Sequence, residues 1–488
     1  MFFGRFFNVR QVAALVCLHV VLGAGAANWP QFRGIHGRAV AHERTPMPDR
    51  IDLSEHTIWK VPMASGQSSP VIFDNQIYLT ALREEKLLTI ALDRETGAIV
   101  WEREAPYEKL EEHHRRSSPA VASVATDGRR VVSFFGSFGL LCYDTDGREL
   151  WRKPLGPFND PQGAASSPVI ADGKVFLERD QDTDSFLAAY DLNSGRKKWR
   201  VDRPNVRRNY GTPTLWKNGD KFEIVSAATA TITGYALRTG RQNWQIHGCA
   251  RVVSATPVVG YDGSLYVVNA GGGGDLRAKH YPPFKQVIAD ADANGNGLLE
   301  KKEIPGGPIA GFIDQFDRDA SGALDEEEYE SIRRIYRSVR HVAMAVRPGG
   351  SGDITDTHVK WTQDRMIPRN ASPVVHNGHL FMVRDGGILT SLDIADGAIV
   401  KSERLEKATG SYFSSPVIGD KKVFLFNDRG MLSIVTAEGD WKQIGSTDFD
   451  EDVLATPAIV NGRIYVRTAE HLYCLGLRKE ERSARDWR

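Results

Sequence analysis

A two-residue step, a serine or threonine followed by proline, recurs along this chain and limits what it can fold into. Each step precedes an apolar pair, and there are eight of them: Ser69-Pro70, Ser118-Pro119, Ser167-Pro168, Thr212-Pro213, Thr256-Pro257, Ser372-Pro373, Ser415-Pro416 and Thr456-Pro457. Successive steps are 49, 49, 45, 44, 116, 43 and 41 residues apart, so one interval alone breaks the rhythm. Such a period is typical of arrays of small units that bury their apolar faces only against their neighbours.

The unit that follows the first step has the pattern of four short strands. Its apolar segments 71–72, 77–79, 87–92 and 99–101 are rich in β-branched and aromatic residues and are separated by polar turns. A lone sheet of this size would leave both faces in water, whereas sheets stacked radially around an axis cover one another. The sequence therefore predicts an all-β fold, an eight-bladed β-propeller of four-stranded repeats.

Tryptophan gives an independent count of the blades. Seven tryptophans follow a turn at the same place in the unit: Trp59, Trp101, Trp151, Trp199, Trp244, Trp361 and Trp441. Lys401 takes that place in the remaining unit. A large ring there can cover the seam to the neighbouring blade. Because Trp59 precedes the first step and the chain after Thr456 has room for only three strands, the N-terminal strand is expected to complete the eighth blade and remove the open edges.

The long interval holds an acidic, helical insertion in the fifth blade, predicted over residues 279–346. It contains two twelve-residue loops, 292–303 and 317–328, with the spacing by which calcium receives side-chain oxygens from positions 1, 3, 5 and 12 and a backbone carbonyl from position 7. The predicted ligands are Asp292, Asn294, Asn296, Leu298 and Glu303 in the first loop, and Asp317, Asp319, Ser321, Ala323 and Glu328 in the second.

Together these loops predict a pair of EF-hands with structural calcium. Leu299 and Leu324, at position 8 of each loop, are expected to pair in a short β contact. The first loop has fewer carboxylates and is expected to bind more weakly. The alternative is an acidic, solvated loop without a metal.

The chain begins with the pattern of a secretory signal. Arg5 and Arg10 precede an apolar run at 12–22, and small residues follow it, which predicts a cleaved signal peptide at 1–26. The run is well short of the roughly 20 residues that span a bilayer. A lipid anchor at Cys17 is the alternative, although Val16 stands where a small residue is expected. We expect a periplasmic or secreted protein without a membrane span.

The remaining chain divides into propeller segments 27–278 and 347–478 and a charged tail, 479–488. The 62 basic and 62 acidic residues of the full chain balance, which argues against nucleic acid as a partner. Cys142 and Cys474 lie in apolar strand-like runs and are expected to be small core residues.

Residues just before the steps should converge at one mouth of the central channel, because the loops that enter the innermost strands meet there. They are His113, His114, Arg115, Arg116, Arg207, Arg208, Asn209, Arg251, Arg369 and Asn370, opposed by Glu451 and Asp452. Arg116, Arg208, Arg251 and Arg369 form a candidate anion-binding rim, since guanidinium groups bind carboxylate or phosphate in a forked geometry. The alternative is a solvated or internally paired ring of charge.

The repeats resemble a known family. The segments 92–101 and 190–199, which read LDRETGAIVW and YDLNSGRKKW, look like the PQQ-like propeller repeat of quinoprotein alcohol dehydrogenases and of the BamB-type outer-membrane assembly factor. The segment 28–34, NWPQFRG, is similar to the start of secreted PQQ-like repeat proteins of planctomycete-type bacteria. The resemblance is specific for the fold, because enzymes and scaffolds share the repeat.

The resemblance leaves two functions open. In PQQ dehydrogenases the quinone lies over a tryptophan floor beneath a vicinal disulfide, with a calcium ion beside a catalytic aspartate. This chain has no Cys-Cys pair and its tryptophans serve the repeat, so no residue is assigned to PQQ or to catalysis. We therefore expect a binding or scaffold propeller that takes a protein or an anionic small molecule at its face. The alternative is a PQQ-dependent oxidoreductase.

Overall fold

Eight β-sheets surround a central channel in the computed structural model, which describes residues 28–41, 45–271, 282–304, 313–317, 319 and 321–478. The predicted signal peptide, the possible anchor at Cys17 and the charged tail lie outside the described residues. The sheets are antiparallel and four-stranded, with one short addition to the fourth. The prediction of an all-β, eight-bladed β-propeller is confirmed.

The first elements in chain order are a 3₁₀ turn at Ile35–Gly37, helix α1 (Leu53–His56) and strand β1 (Thr57–Pro62). The first blade contains β2 (Val71–Phe73), β3 (Gln76–Arg83), β4 (Lys86–Asp93) and β5 (Ile99–Ala105). The second contains β6 (Ala125–Thr126), β7 (Arg130–Phe135), β8 (Gly139–Asp144) and β9 (Glu149–Pro154). The third contains β10 (Val169–Ala171), β11 (Lys174–Arg179), β12 (Phe186–Asp191) and β13 (Lys197–Asp202). The fourth contains β14 (Thr214–Asn218), β15 (Lys221–Ala228), β16 (Thr231–Ala236) and β17 (Gln242–His247).

The fifth blade is interrupted after its second strand. It begins with β18 (Val258–Val259) and β19 (Leu265–Asn269), and the insertion then supplies α2 (Phe284–Ala291), β20 (Leu299–Glu300), α3 (Ile313–Phe316), β21 (Ala323–Leu324) and α4 (Glu326–Ser338). The blade resumes with β22 (Val342–Val346), and β23 (Gly352–Asp353) and α5 (Thr355–His358) precede its outer strand β24 (Val359–Gln363). Strand β22 lies within the range predicted for the insertion, so the chain returns to the blade at residue 342.

The last three blades follow without interruption. The sixth contains β25 (Val374–His376), β26 (His379–Arg384), β27 (Ile388–Asp393) and β28 (Ile399–Arg404). The seventh contains β29 (Val417–Gly419), β30 (Lys422–Phe426), β31 (Met431–Thr436) and β32 (Gln443–Asp448). The eighth contains β33 (Ala458–Val460), β34 (Arg463–Arg467) and β35 (His471–Gly476).

Strand β1 supplies the fourth strand of the eighth blade. It pairs antiparallel with β35, with Trp59 opposite Cys474 and Lys60 opposite Tyr473. The predicted closure by the N-terminal strand is thereby confirmed. Because the first and last parts of the chain share one sheet, opening the ring requires breaking a strand pair and not only a face-to-face contact.

A closed ring of eight hydrogen bonds joins the innermost strands. In each blade one serine or threonine, which we call a ring residue, accepts through its hydroxyl oxygen the backbone N–H of the ring residue before it, over 2.9 to 3.0 Å. The ring residues are Ser69, Ser123, Ser167, Thr212, Thr256, Ser372, Ser415 and Thr456.

Seven ring residues belong to the Ser/Thr-Pro steps, but Ser118 of the second step is not a ring residue. Ser123 takes that place in the second blade and is followed by Val124 instead of proline. The ring needs a hydroxyl and a free N–H at each position, and the next residue can vary. Ser118 lies in the preceding loop, where its hydroxyl accepts the N–H of Ala120.

Tryptophan side chains cross five of the seams between blades, as the sequence predicts. Each indole N–H donates to a backbone carbonyl in the turn of the next blade over 2.9 to 3.1 Å, and the five donors are Trp59, Trp101, Trp151, Trp199 and Trp361. The turn that receives the first of them is held by Asp93, whose carboxylate accepts the N–H of Thr96. Gly97 follows with φ of 75°, and a Cβ there would lie 2.8 Å from the Trp59 ring. The indole therefore packs flat on a turn that only glycine can close.

Two of the predicted seam tryptophans do not donate a hydrogen bond across a seam. Trp244 donates to Glu223 of its own blade over 2.5 Å, and Trp216, which packs edge-on against it, bonds across the seam to Gly263 O instead. Strand β23 adds in parallel to β17 at this outer edge. Trp441 precedes its strand, and Gly445 stands opposite Ile434 where other blades place the ring. Lys401 does occupy the predicted place, opposite Ser391.

The insertion has its own apolar core. Helices α2 and α4 contact each other, and Phe284, Leu299, Leu324 and Ile332 are buried between the inserted elements with Ala230 of the propeller. Leu299 pairs with Leu324 across β20 and β21, as predicted from their loop positions. The insertion is thus a small packed unit that rests on the fourth blade.

Two further expectations concern burial and membrane crossing. Cys142, Cys249 and Cys474 are buried, as expected for the first and last of them. None of the described helices is long and apolar enough to cross a membrane.

Candidate functional site

Two connected cavities form a funnel on the propeller axis. The inner one, which we call the chamber, has a volume of about 260 Å³ and is lined by all eight ring residues. The outer one, which we call the mouth, has a volume of about 500 Å³. They share the side chains of His114, Arg116, Gln162, Tyr210, Ser254, Asn370 and Phe413.

The N-terminal segment lies across the end of the chamber opposite the mouth. Trp29 bridges to Ile72 of the first blade, and Val40 bridges to Ile418 of the seventh. Phe32, between them, lines the chamber. The segment thus spans the ends of the innermost strands, and the funnel is accessible from the side of the mouth.

All four predicted rim arginines line the mouth: Arg116, Arg208, Arg251 and Arg369. They come from loops that precede the second, fourth, fifth and sixth innermost strands. Their convergence follows from the propeller geometry, as expected. Asp385 is the one carboxylate among the described residues that line the mouth, and it accepts the N–H of Tyr412.

Two rim arginines have carboxylate partners that the sequence analysis missed. Arg116 bonds to Asp428 over 2.7 Å, and Arg208 bonds to both oxygens of Asp182 over 2.5 and 2.6 Å. Arg369 forms no hydrogen bond or ion pair with the residues that the structure describes. The rim is therefore partly paired, and the ion pairs hold two guanidinium groups in fixed positions.

Tyr210 is held at the funnel wall by a buried carboxylate. Its hydroxyl donates to Asp160 over 2.9 Å, and the other oxygen of Asp160 accepts the N–H of Gln162 over 2.9 Å. Burial raises the pKa of Asp160 to about 6. Asp160 thus positions two residues that line both cavities.

A second buried carboxylate anchors the loop that carries His114 and Arg116. Glu111 donates its backbone N–H to Ser137 over 3.0 Å, and its carboxylate accepts the N–H of Ala164 over 3.3 Å. Burial raises the pKa of Glu111 to about 8, against the opposing effect of the Ala164 N–H. The carboxyl group therefore prefers to be protonated in the folded protein.

We expect Glu111→Gln to change the pH dependence of stability. The pKa of Glu111 is raised from about 4.3 in an unfolded chain, so its contribution to stability is complete below that pH and is lost as the pH rises through about 8. The free energy of unfolding of the wild type should fall relative to that of the variant over this range. Urea unfolding of both proteins across the range tests this, and a constant difference would contradict it.

Glu451 does not oppose the rim. It lies at the outer part of the eighth blade, where it accepts hydrogen bonds from Lys60 over 3.2 Å and from the Tyr473 hydroxyl over 3.0 Å. Burial acts to raise its pKa, but the hydrogen bonds outweigh burial and hold the pKa at about 2. Glu451 does not line the mouth or the chamber.

In the second twelve-residue loop the predicted ligands converge. Asp317, Asp319 and Glu328 each offer a carboxylate oxygen, and these oxygens lie within 4.8 Å of one another. The Asp317 carboxylate accepts the N–H of Ser321 over 2.9 Å and of Gly322 over 2.7 Å. Glu328 accepts the N–H of Asp325 and closes a capping box at the start of α4. The loop thus brings together carboxylate oxygens, which are the hard ligands that calcium prefers.

The first loop has a similar backbone but fewer charges. Asp292 accepts the N–H of Gly295 over 2.8 Å and of Gly297 over 2.9 Å, and Glu303 accepts the N–H of Ala293 over 3.1 Å. The side-chain amides of Asn294 and Asn296 donate to Glu300. Two of the predicted ligands are carboxylates here, against three in the second loop.

The residues of the funnel do not fit PQQ in the way the quinoprotein resemblance implies. Its aromatic lining consists of Phe32, Tyr210 and Phe413, and the described lining residues include no tryptophan and no cysteine. The seam tryptophans lie between blades with their N–H groups bonded to carbonyls. A floor for the quinone and a vicinal disulfide are both missing from this lining.

Comparison with known proteins supports the fold. The sequence model of one family, described as "Outer membrane protein assembly factor BamB", matches residues 90–278 and 351–485. The outer membrane protein assembly factor BamB of Yersinia pestis is 23% identical over 363 residues, which cover 70% of this chain and 78% of that protein.

Two solved structures show the same fold at low identity. BamB from Moraxella catarrhalis matches with a TM-score of 0.52 at 12% identity, over 86% of this chain and 98% of that one. A europium-containing methanol dehydrogenase matches with a TM-score of 0.57 at 11% identity, over 92% of this chain and 98% of that one.

Proposed function

This chain belongs to the outer membrane protein assembly factor BamB family of PQQ-like β-propellers, and we propose that it is an extracytoplasmic binding or scaffold protein that takes an anionic ligand in its funnel. One observation carries the proposal: four arginines from separate loops line one mouth, with Asp385 as the single acidic group among the described lining residues. An acidic protein segment or a small anion would be attracted to such a rim.

The pairing of Arg116 and Arg208 makes the site selective. Their carboxylate partners neutralise part of the charge and fix the guanidinium planes, so these groups offer directed N–H donors at little further cost in side-chain entropy. Arg369 is exposed and forms no ion pair with a described residue. A ligand with a carboxylate or phosphate group is therefore favoured over a neutral one.

The proposed location rests on two observations. The apolar run at 12–22 with its flanking arginines is typical of a signal peptide, and the Yersinia pestis relative is named as an outer membrane protein assembly factor. Assembly factors act by contacting other proteins, which makes a protein segment one of the two ligand types that the mouth should accept.

We also propose that both twelve-residue loops bind calcium and that the metal stiffens the insertion. The clustered oxygens of Asp317, Asp319 and Glu328 support the second site, and the β contact between Leu299 and Leu324 couples the two loops. The bound metal would stabilise α4, whose Ser331 hydroxyl donates to Asn205 of the propeller over 3.1 Å.

Binding of an acidic peptide tests the proposed mouth. We expect a fluorescent peptide of aspartates and glutamates to bind the wild type, and Arg251→Ser combined with Arg369→Ser to weaken binding at least about tenfold, near 1.4 kcal/mol. The affinity should also fall as salt is added. Fluorescence anisotropy measures both effects.

Arg148→Ala is the matched control, since Arg148 lies in an outer turn and its side chain is 79% exposed. It removes one positive charge, half the change of the double variant, and should leave binding unchanged. Equal binding by the wild type and the double variant would overturn the proposal.

A further inference from the structure

The eight ring hydroxyls line the chamber with hydrogen-bond donors that the protein does not use. Each hydroxyl oxygen accepts one backbone N–H, and this fixes the side chain. Within the described part of the chain, none of the eight donates its O–H to a protein acceptor. Since a hydroxyl is both donor and acceptor, eight O–H groups remain for a ligand or for water.

Two buried arginines stand directly behind the ring. Arg33 is fully buried and donates to the carbonyls of Gly37, Ser372 and Pro373. Ser372 is a ring residue, so this guanidinium group touches the chamber wall at its closed end.

Arg467 has the same character on another side of the chamber. It is 1% exposed and donates to carbonyls of Ala64, Ser68 and Thr80 and to the Ser68 hydroxyl, next to ring residue Ser69. Its Nε has no partner. Burial lowers the pKa of Arg33 and of Arg467 to about 9, and no neighbouring carboxylate acts on either pKa. Backbone carbonyls, and for Arg467 also the Ser68 hydroxyl, are the hydrogen-bond partners of these two groups, and neither group forms an ion pair with a described residue.

No described residue that lines the chamber is an aspartate or a glutamate, whereas Arg116 and His114 lie at its entrance. Two buried guanidinium groups without a carboxylate partner, in a region of low dielectric constant, favour a positive potential in the chamber that solvent screens poorly. An anion there would recover part of the energy that burial of the two guanidinium groups costs.

We propose that the chamber binds a small oxyanion, an organic carboxylate or a phosphate group, through the ring hydroxyls. The inference rests on the proposed function, because the ion must enter through the mouth. An oxyanion offers several acceptor lone pairs, which match several converging O–H donors. The volume of about 260 Å³ is below the roughly 300–1,000 Å³ of sites for drug-sized ligands. The ligand, or the part of it that enters, is therefore small.

Titration calorimetry with succinate and with orthophosphate tests the inference on the full chain. We expect saturable binding of at least one of them, with a Kd below about 1 mM. The anion that binds more tightly identifies a carboxylate or a phosphate site. If neither anion gives a saturable binding heat up to about 10 mM, the inference is wrong. This test uses the wild-type protein alone.

Two variants place the site in the chamber. Ala165 lines the chamber, and Ala165→Trp should fill it and remove the binding of the small anion. Arg467→Met keeps the side-chain length, removes one buried charge and should weaken binding at least about tenfold. Circular dichroism checks that each variant folds. A folded Ala165→Trp variant with wild-type affinity would contradict the inference.

Arg148→Ala controls for the loss of a positive charge, because Arg148 is exposed and lines neither cavity. It should leave the binding of succinate and orthophosphate unchanged. If the double rim variant binds the acidic peptide as tightly as the wild type while a small anion still binds, the proposal for the mouth is wrong and the chamber stands. If the double rim variant loses peptide binding while neither small anion binds the wild type, the proposal for the chamber is wrong and the mouth stands.

Discussion

Trp101→Ala is expected to lower the free energy of unfolding by about 3–5 kcal/mol, the usual cost of removing a buried large ring. The Trp101 ring packs on the turn at Gly147, where a Cβ would lie 2.6 Å from it, and its N–H donates to Thr145 O of the second blade over 2.9 Å. The substitution leaves a cavity in the seam and an unsatisfied carbonyl. Urea unfolding followed by circular dichroism measures the change.

Leu150→Ala is the matched control for this seam prediction. Leu150 precedes the equivalent tryptophan of the next blade but is 40% exposed, so its loss should cost less than about 1 kcal/mol. Trp101→Phe keeps most of the apolar area and removes the N–H, and we expect an intermediate cost of about 1–2 kcal/mol. Similar values for Trp101→Ala and Leu150→Ala would show that the tryptophan does not hold the seam.

The seams could be predicted because their chemistry is local in sequence. A tight turn with aspartate and glycine, followed by tryptophan, occurs in each of the first three blades. The tryptophan ring of one blade contacts the turn glycine of the next, as Trp59 does with Gly97 and Trp361 with Gly397. Where the partner is not part of the repeat, the prediction fails. Gly445 replaces the ring in the seventh blade, where a Cβ would lie 2.8 Å from the carbonyl of Asp49 in the N-terminal segment.

The hydroxyl ring shows a different limit of prediction from the sequence. Proline follows seven of the eight ring residues, so the sequence pattern favours Ser118, which Pro119 follows, over Ser123. What the ring requires is a hydroxyl just before an innermost strand, and Ser123 meets this requirement without proline. A pattern of neighbouring residues cannot distinguish this position from a loop that contains the same two residues.

The candidate site was predictable in position but not in detail. Arg116, Arg208, Arg251 and Arg369 precede innermost strands, so the propeller itself brings them together. Their partners do not follow from the repeat. Asp428 is 312 residues from Arg116, and such a pair leaves no local signal. The same holds for Arg33 and Arg467, whose burial is evident only from the closed ring.

The second prediction with a large expected effect concerns the affinity of the proposed calcium sites. We expect Glu328→Gln to lower the affinity of the second loop for calcium at least about tenfold, because the variant loses the bidentate carboxylate at position 12. The Glu328 carboxylate also accepts the N–H of Asp325 at the start of α4. Calorimetry should therefore show one tight site fewer, and Asp317→Ala should have the same effect.

Glu326→Gln provides the control, since Glu326 lies in the first turn of the same helix, is exposed and is not among the predicted ligands. It removes an equal charge two residues away and should leave calcium binding unchanged. The propeller should stay folded in all three variants, because the apolar core of the insertion is separate except for Ala230. Unchanged calcium stoichiometry in both Glu328→Gln and Asp317→Ala would show that the loops are acidic turns and not metal sites. A loss of propeller structure would instead show that the insertion, which leaves the fifth blade between its second and third strands, is needed to close the ring.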